Sequence, residues 1–566
     1  MGARGAAWSA DELGKLMLAG ALLAALVATL VGFAWAAPTV AAWISTGQTP
    51  GLSLVDAAAA LGDTRLLGAE PGAAYPPGAR AVIPGAGEFW LTAALTAVAL
   101  AASLFALLRE AEIRMSRTAA DRRWWQLRGR RPQEFGRYRT VGEMIVDGPS
   151  PDHLIVGHIA RPKARVAVDK LSQVAVIAAP RTGKSSGLVI PAILEHEGPL
   201  VTTSVRTDVV QHTIARRRRL GRAWVWDPFG AKSDSWDLLR GCEDWEHALL
   251  VARWLGQAQR LGDGGNQQYF DQEAEGLLAP YLHAAALAPD VTAAGVYRWI
   301  LEREVDVPAG ILEEVGASDA LERLEAVYAY TERQRDGILG TAAVQLKAYG
   351  HPAAARTATR GDGFTPEDLA SGENTLYIVA GREHQKLLAP LVVTMLSSIL
   401  HWVGERENRT GAGLDPPLLL ALDETASIAP IQDLPSILAT SLGSGARFMT
   451  VWHSVAQIQR AFGEEAATEI LALSRAKVFM GSVTDQTTRR EIVDLLGQQQ
   501  AQRRDPSATG FALDVVTSQA LQRMTAGEGL LINGELPPVI FRQRRHYLDR
   551  DLQRLKGSET PLTTTG

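Results

Sequence analysis

Val174-Ala-Val-Ile-Ala-Ala-Pro-Arg-Thr-Gly-Lys-Ser185 is the stretch that decides the fold. Its first five residues are an apolar, β-branched run that ends at Pro180 and Gly183, the signature of a buried parallel strand feeding a helix near Lys184. Between strand and helix, Ala178 to Ser185 follows G-x-x-x-x-G-K-[ST], with Ala178 in place of the first glycine. A loop of this kind turns backbone N–H groups toward phosphate oxygens at a helix N-terminus. Ala178, Ala179, Pro180, Arg181, Thr182, Gly183, Lys184 and Ser185 are therefore the expected nucleotide-binding set. Lys184 reaches the β- and γ-phosphates and Ser185 offers a hydroxyl to Mg²⁺. G-K-S alone is common, and the flanking strand and helix carry the assignment.

The second half of the expected site is Leu418-Leu-Leu-Ala-Leu-Asp423-Glu424, an apolar strand that ends in two adjacent carboxylates. Burying such a pair is costly unless it serves a function. Asp423 is expected to hold Mg²⁺, directly or through water, and Glu424 to polarise the attacking water. An Asp followed by Glu favours hydrolysis over phosphoryl transfer to a substrate hydroxyl, so the chemistry expected is hydrolysis of ATP. His453, after the next strand in Trp452-His-Ser-Val-Ala-Gln457, is a candidate γ-phosphate sensor, with Gln457 beside it. The bland alternative is a histidine that caps a helix.

Outward from these motifs, further strands are expected at Pro199–Ser204, Ala223–Trp226, Thr375–Ala380, Pro417–Leu422, Phe448–Trp452 and Ala476–Met480. Helical patterns separate most of them, which predicts a mainly parallel sheet covered on both faces. Residues 237–362 break the alternation. They show helical patterns and almost no strand signal, as in an all-α insertion between two parts of the nucleotide-binding domain, 136–236 and 363–556. Residues 557–566 are expected to be a disordered tail.

The first 135 residues have a different character. Leu16–Trp35 and Phe89–Leu108 are uncharged and long enough to cross a hydrocarbon core of about 30 Å. Arginines crowd the segment after the second run, from Arg109 to Arg131, whereas the intervening loop, about 37–88, carries only Arg65 and Arg80 as cations. The positive-inside rule puts that loop outside and both chain ends in the cytosol, with the arginines touching anionic lipid. Ala34-Trp35-Ala36 resembles a signal-peptide cleavage site, but the apolar run is long and its leading segment is barely cationic, so an uncleaved anchor is the expectation.

Composition sets outer limits. With 566 residues, 46% hydrophobic and 21% charged, the chain is neither wholly disordered nor a polytopic carrier. A net charge of −5 excludes a histone-like basic coat. One cysteine, Cys242, excludes an internal disulfide and a cysteine-rich metal site, and a buried structural thiol is the expectation for it.

Taken together, these residues resemble the type IV coupling proteins of bacterial conjugation and type IV secretion, the TraD/TraG group. The resemblance runs from the two apolar stretches through Gly157-His-Ile, the phosphate loop, Pro191-Ala-Ile-Leu, Phe364-Thr-Pro-Glu-Asp-Leu, Leu376-Tyr-Ile, Leu422-Asp-Glu and Ser454-Val-Ala-Gln457 to Gly481-Ser-Val-Thr-Asp485 with Thr488, Pro537-Pro-Val-Ile and Tyr547. It implies a membrane-anchored, RecA-like hexamer with an inserted all-α domain, located in the inner membrane with the ATPase domain in the cytoplasm. The implied activity is ATP hydrolysis coupled to export of single-stranded DNA, usually with a relaxase, through a type IV secretion channel. Two alternatives stay open: a motor for protein substrates only, and a slowly hydrolysing membrane scaffold. No base-reading motif is visible, so DNA binding is expected to be electrostatic and sequence-tolerant.

Four departures mark a divergent member. Ala178 replaces a glycine, Ser204-Val-Arg-Thr-Asp208 stands where the family often has D-x-K-x-E, and His453 replaces the usual sensor glutamine. The arginine often found before the sensor strand is missing near Leu442, which leaves Arg447 as the nearest candidate for an arginine acting on a neighbouring subunit.

Overall fold

The computed structural model describes residues 30–98, 142–159, 164–258, 265–501, 511–514 and 521–556. The chain falls into two compact units, Met1–Arg131 and Pro132–Gly566. The expected tail at 557–566, the arginine-rich run and the parts of the two apolar stretches before residue 30 and after residue 98 lie outside the described residues.

In the first unit the helix Leu30–Thr46 and the helix Ala86–Val98 are both apolar. The first continues past Trp35, where the uncharged run was expected to end. Ala36 to Ala42 carry no charge, and the Ser45 and Thr46 hydroxyls bond back to the Ala41 and Ala42 carbonyls at 2.9 and 2.8 Å, which closes the last turn on itself. The loop between the helices folds onto the first of them. Trp35 Nε1 donates to the Leu52 carbonyl at 2.7 Å, Tyr75 Oη donates to the Ala34 carbonyl at 2.9 Å, and Ala60, Tyr75, Ala79 and Phe89 form a small core. Trp43, Ile44, Leu91, Leu95 and Val98 stay exposed.

The second unit is built on a 12-stranded sheet. Its strands are β1 (Ile145–Val146), β2 (His153–His158), β3 (Arg165–Asp169), β4 (Val174–Ala178), β5 (Leu200–Ser204), β6 (Ala223–Trp226), β7 (Thr375–Val379), β8 (Leu418–Leu422), β9 (Ala446–Trp452) and β10 (Ala476–Met480), then, after a separate hairpin of β11 (Gln498–Ala501) and β12 (Phe511–Asp514), β13 (Glu528–Asn533) and β14 (Leu536–Arg542). Spatial order is β1-β3-β2-β14-β13-β10-β4-β9-β8-β5-β7-β6. From β10 to β6 every neighbour is parallel. β4, β5, β7, β8, β9 and β10 are buried along their whole length, as expected of strands covered on both faces.

The antiparallel extension from β13 to β1 was not expected from sequence. Pro537 and Pro538 lie within β14, and a proline cannot donate to a ladder. They are tolerated because β14 pairs with β2 only at Arg542↔His158, so most of that side of the strand makes no ladder.

Between β6 and β7 the described residues carry helices and no strand: Trp245–Gln257, Gly265–Leu287, Ala293–Glu302, Asp306–Val315, Ser318–Tyr328 and Glu332–Gln345, with shorter turns to Ala355. This block has no core of its own. Leu278, Leu282 and Ile338 from it join one cluster with Leu391 and Leu396 of the helix Gln385–Thr410 and with Trp224 and Leu376 of the sheet. Gln385–Thr410 is the one helix among the described residues long and apolar enough to cross a bilayer, and most of its apolar window is buried in this core. Cys242 is buried in the same cluster, and burial pushes its thiol well above the usual range.

One buried cation fastens the far edge. Arg217, fully buried, donates to Thr375 Oγ1 at 2.6 Å and to the carbonyls of His196, Gly198 and Glu373 at 2.5, 2.6 and 3.1 Å. Arg217→Met keeps much of the apolar stem but leaves four buried acceptors without a donor. The thermal midpoint of the detergent-solubilised chain is expected to fall by roughly 3–5 °C, and a fall under about 1 °C would show that water replaces the guanidinium.

Candidate nucleotide site

Strand order creates the site. β4 lies between β9 and β10, and β9 lies between β4 and β8, so the segments that leave β4, β8 and β9 emerge at one rim. Register aligns them: Ile177 pairs with Trp452, and Leu422 with Thr450. The connection from β4 crosses β9 and β8 to reach β5, a reversal of the kind that opens a crevice at the carboxyl ends of parallel strands.

The rim gathers five of the expected side chains. Lys184 Nζ lies 2.5 Å from Glu424 Oε1 and 3.6 Å from Asp423 Oδ1. Ser185 Oγ donates to Asp423 Oδ2 at 2.8 Å. His453 joins them, its Nε2 2.8 Å from Glu424 Oε2 and its Nδ1 3.4 Å from Lys184 Nζ. His453 therefore faces Glu424 directly. Gln457 is turned to the backbone instead, where its Oε1 accepts from the His453 N–H at 2.7 Å.

Backbone geometry holds this cluster in place. Arg181 has φ 66°, Gly183 φ 90° and Glu424 φ 59°. Positive φ at two non-glycine residues stores strain that the surroundings must hold. At Glu424 threonines do so: Thr203 Oγ1 donates to the Asp423 carbonyl and Thr425 Oγ1 to the Leu422 carbonyl, each at 2.8 Å, while Thr425 Oγ1 accepts from the Val451 N–H at 3.1 Å. In the loop, Thr182 closes a turn through its hydroxyl to the Ala179 carbonyl at 2.7 Å. Ala178 ends β4 in extended conformation with ordinary φ, so the family's glycine is not needed there.

The two carboxylates differ in their surroundings. Burial pushes Asp423 up from its ordinary value, against Lys184 and the Ser185 hydroxyl, and the neighbouring charges of Glu424 and Asp208 push the same way. For Glu424 burial also pushes up, but the bonds to His453 and Lys184 outweigh it and hold the carboxyl at about 2. Asp423 Oδ1 is buried and makes no hydrogen bond. A free carboxylate oxygen and a serine hydroxyl on one side of a lysine are donors of the type and number that a Mg²⁺–phosphate group takes from a protein, so the residues present fit such a group.

Arg447 is not brought to this rim, and its burial within its own subunit runs against the expectation that it serves a neighbouring one. It is the second residue of β9, and at about 3.3 Å per residue it lies roughly 20 Å from His453, at the opposite end of the strand. The residue is 3% exposed, and its guanidinium donates to the carbonyls of Ser172 and Val168 at 3.2 and 3.0 Å. Burial lowers its pKa to about 10. Two contributors were missed from sequence. Thr203 sits in β5 beside Thr202 and Ser204, with nothing in the pattern to single it out. Gln543, whose Nε2 donates to the Thr182 carbonyl at 3.0 Å, is 361 residues from the loop it touches.

Comparison with known proteins converges on one group. A family model described as Type IV secretory system Conjugative DNA transfer matches residues 137–565. Protein VirD4 of Rhizobium rhizogenes is 22% identical over 411 residues, 67% of this chain and 59% of its own length. Protein VirD4 of Rhizobium radiobacter is also 22% identical, with 58% of its length covered. The chain thus spans under two thirds of these relatives. Among solved structures, the bacterial conjugative coupling protein TrwB in its unbound form aligns with a TM-score of 0.57 at 17% identity, over 73% of this chain and 93% of that one. TrwB in complex with ADP and Mg²⁺ aligns with a TM-score of 0.53 at 18% identity, over 66% and 86%.

Glu424 gives the site an acid limb. A carboxyl held at about 2 in the fold and near 4.5 when unfolded adds stability above pH 4.5 and loses it as pH falls toward 2. Without nucleotide, the parent chain is expected to lose stability relative to Glu424→Gln across that window and to run parallel with it above pH 5. Acid unfolding curves of the two proteins that stay parallel down to pH 2 would show that the Lys184 and His453 contacts are not made in solution.

Proposed function

The chain belongs to the Type IV secretory system conjugative DNA transfer family, and from that premise we propose that it is a membrane-anchored ATPase that drives single-stranded DNA, or a relaxase-type nucleoprotein, through a type IV secretion channel. The observation that carries the reading is the meeting of Lys184, Ser185, Asp423 and Glu424 at one rim of the sheet, linked by contacts of 2.5 Å (Lys184–Glu424), 2.8 Å (Ser185–Asp423) and 3.6 Å (Lys184–Asp423).

Each residue has a role that its geometry supports. Gly183 and its neighbours offer backbone N–H groups to phosphate. Lys184 leaves Glu424 for the β- and γ-phosphates, which frees the carboxylate. Glu424, with its other oxygen still on His453, then orients and accepts a proton from water. Ser185 and Asp423 would hold Mg²⁺, which when bound would neutralise charge on the phosphate oxygens. TrwB, the neighbour of this fold, has been solved with ADP and Mg²⁺.

The two apolar N-terminal stretches support a double-spanning anchor in the inner membrane, with the arginines after Leu108 and the ATPase unit in the cytoplasm. The helices Leu30–Thr46 and Ala86–Val98, with Trp43, Ile44, Leu91, Leu95 and Val98 exposed, are in keeping with contact with lipid. A homo-hexamer and contacts with channel components follow from family membership. The nucleotide-binding parts are 136–236 and 363–556, and 237–362 is the inserted helical part proposed to meet substrate.

Steady-state ATPase measurement on the purified chain, with and without single-stranded DNA, tests this. DNA is expected to stimulate turnover. Lys184→Ala should bind nucleotide weakly and not turn over. Glu424→Gln should bind ATP like the parent and lose about 10²–10⁴-fold in rate, because the amide keeps the shape but cannot take the proton. Near-parental turnover in Glu424→Gln would remove the base assignment, and stimulation by protein substrate but not by DNA would move the function to protein export.

A further inference from the structure

The segment that follows β14 crosses the phosphate loop and the helix it feeds, and touches them at three points. Gln543 Nε2 donates to the Thr182 carbonyl at 3.0 Å. The His546 backbone N–H donates to the Ser186 carbonyl at 3.0 Å. Arg544 Nη1 bonds both oxygens of Glu195, the last residue of the helix, at 2.7 and 2.8 Å, while its Nε bonds Asp549 at 2.8 Å. Arg544 and Glu195 are 2% and 7% exposed. Loop, first turn and helix end are thus all fastened to one strap.

The first turn needs that strap. Ser185–Val189 is wound as a π-helix, and the Ile190 N–H bonds the Ser185 carbonyl. In the same winding the next donor, for the Ser186 carbonyl, falls at residue 191, which is proline and has no N–H. The His546 N–H supplies the missing bond. Short π segments of this kind gather at functional sites.

The loop contact carries a direction as well. In a trans peptide the carbonyl of one residue and the N–H of the next point opposite ways. A grip on the Thr182 carbonyl from the strap side therefore aims the Gly183 N–H away from the strap. The glutamine lies tight against the loop: a Cβ at Gly183 or at Gly187 would fall 2.7 Å from Gln543 Oε1. That Oε1 is buried and has no donor, so the side chain keeps its place for the bond its nitrogen makes.

We propose that Gln543 is a positioning residue of the nucleotide site, which fixes the Thr182–Gly183 peptide so that the Thr182 carbonyl is held out of the phosphate space and the Gly183 N–H is presented to it. This rests on the ATPase reading given above. Two variants of the full-length chain test it, Gln543→Met, which keeps length without a donor, and Gln543→Glu, which keeps shape but sets a carboxylate against the carbonyl. The readouts are binding of a fluorescent ATP analogue, KM and kcat for ATP, and thermal unfolding. Gln543→Met should weaken binding and raise KM about five- to tenfold, with kcat at saturating ATP within about twofold. Gln543→Glu should weaken both by more than tenfold. Variants that melt earlier but bind and turn over with parental Kd and KM would overturn the proposal, because a merely structural contact moves stability alone. Failure of the parent chain itself to bind the analogue would instead overturn the ATPase reading.

Discussion

Two adjacent carboxylates, one buried and one half-buried, end β8, and the ammonium group of Lys184 lies against both of them. Asp423 is 5% exposed and Lys184 9%, and they come from positions 238 or more residues apart in sequence. Lys184 offsets the cost of burying Asp423, and Lys184 and His453 together hold Glu424 in its charged form. The sheet order therefore carries weight beyond packing. It must put β4 one strand away from β8, because the lysine's reach is only a side chain long. Displacement of β9 would part the pair and leave a buried charge uncompensated.

What was legible in sequence follows the same logic. β4 and β8 are apolar runs that end where the site begins, at Pro180 and Asp423, and the change of character at each end marks both strand and site. β2, β13 and β14 were not legible, because glycine and proline stand inside them. Their real constraint is a ring: a Cβ at Gly157 or at Gly529 would come 2.3 Å from an atom of the Phe541 ring. Three strands leave room for one side chain, and composition alone presents that as breakage. Arg447 failed for another reason. Nearness in sequence to the site strand says nothing about exposure, and Arg447 is buried within its own subunit.

The departures from the family pattern have physical readings in the fold. Ala178 is acceptable because its backbone is that of an ordinary strand residue, paired with Met480. Asp208, in place of the family's longer glutamate, still places its charge where it bears on Asp423. It heads the helix Asp208–Leu220 and bonds the Val209 N–H at 2.9 Å, so the acid is fixed by the helix start and its shorter arm is offset by a fixed origin.

His453 is the departure with the most direct consequence. Its two ring nitrogens face opposite partners, Glu424 Oε2 at 2.8 Å and Lys184 Nζ at 3.4 Å. A carboxylate accepts and an ammonium donates, so the tautomer with its proton on Nε2 satisfies both, and the other neutral tautomer satisfies neither. The assignment comes from the partners rather than from any observed hydrogen. A glutamine amide would present the same two faces, N–H toward the glutamate and C=O toward the lysine. The substitution thus preserves the pattern of donors and acceptors that holds Glu424, whose φ of 59° already leaves it few conformations. In that arrangement the residue after β9 acts first on Glu424, and in the proposed reaction it bears on the nucleotide only through that carboxylate.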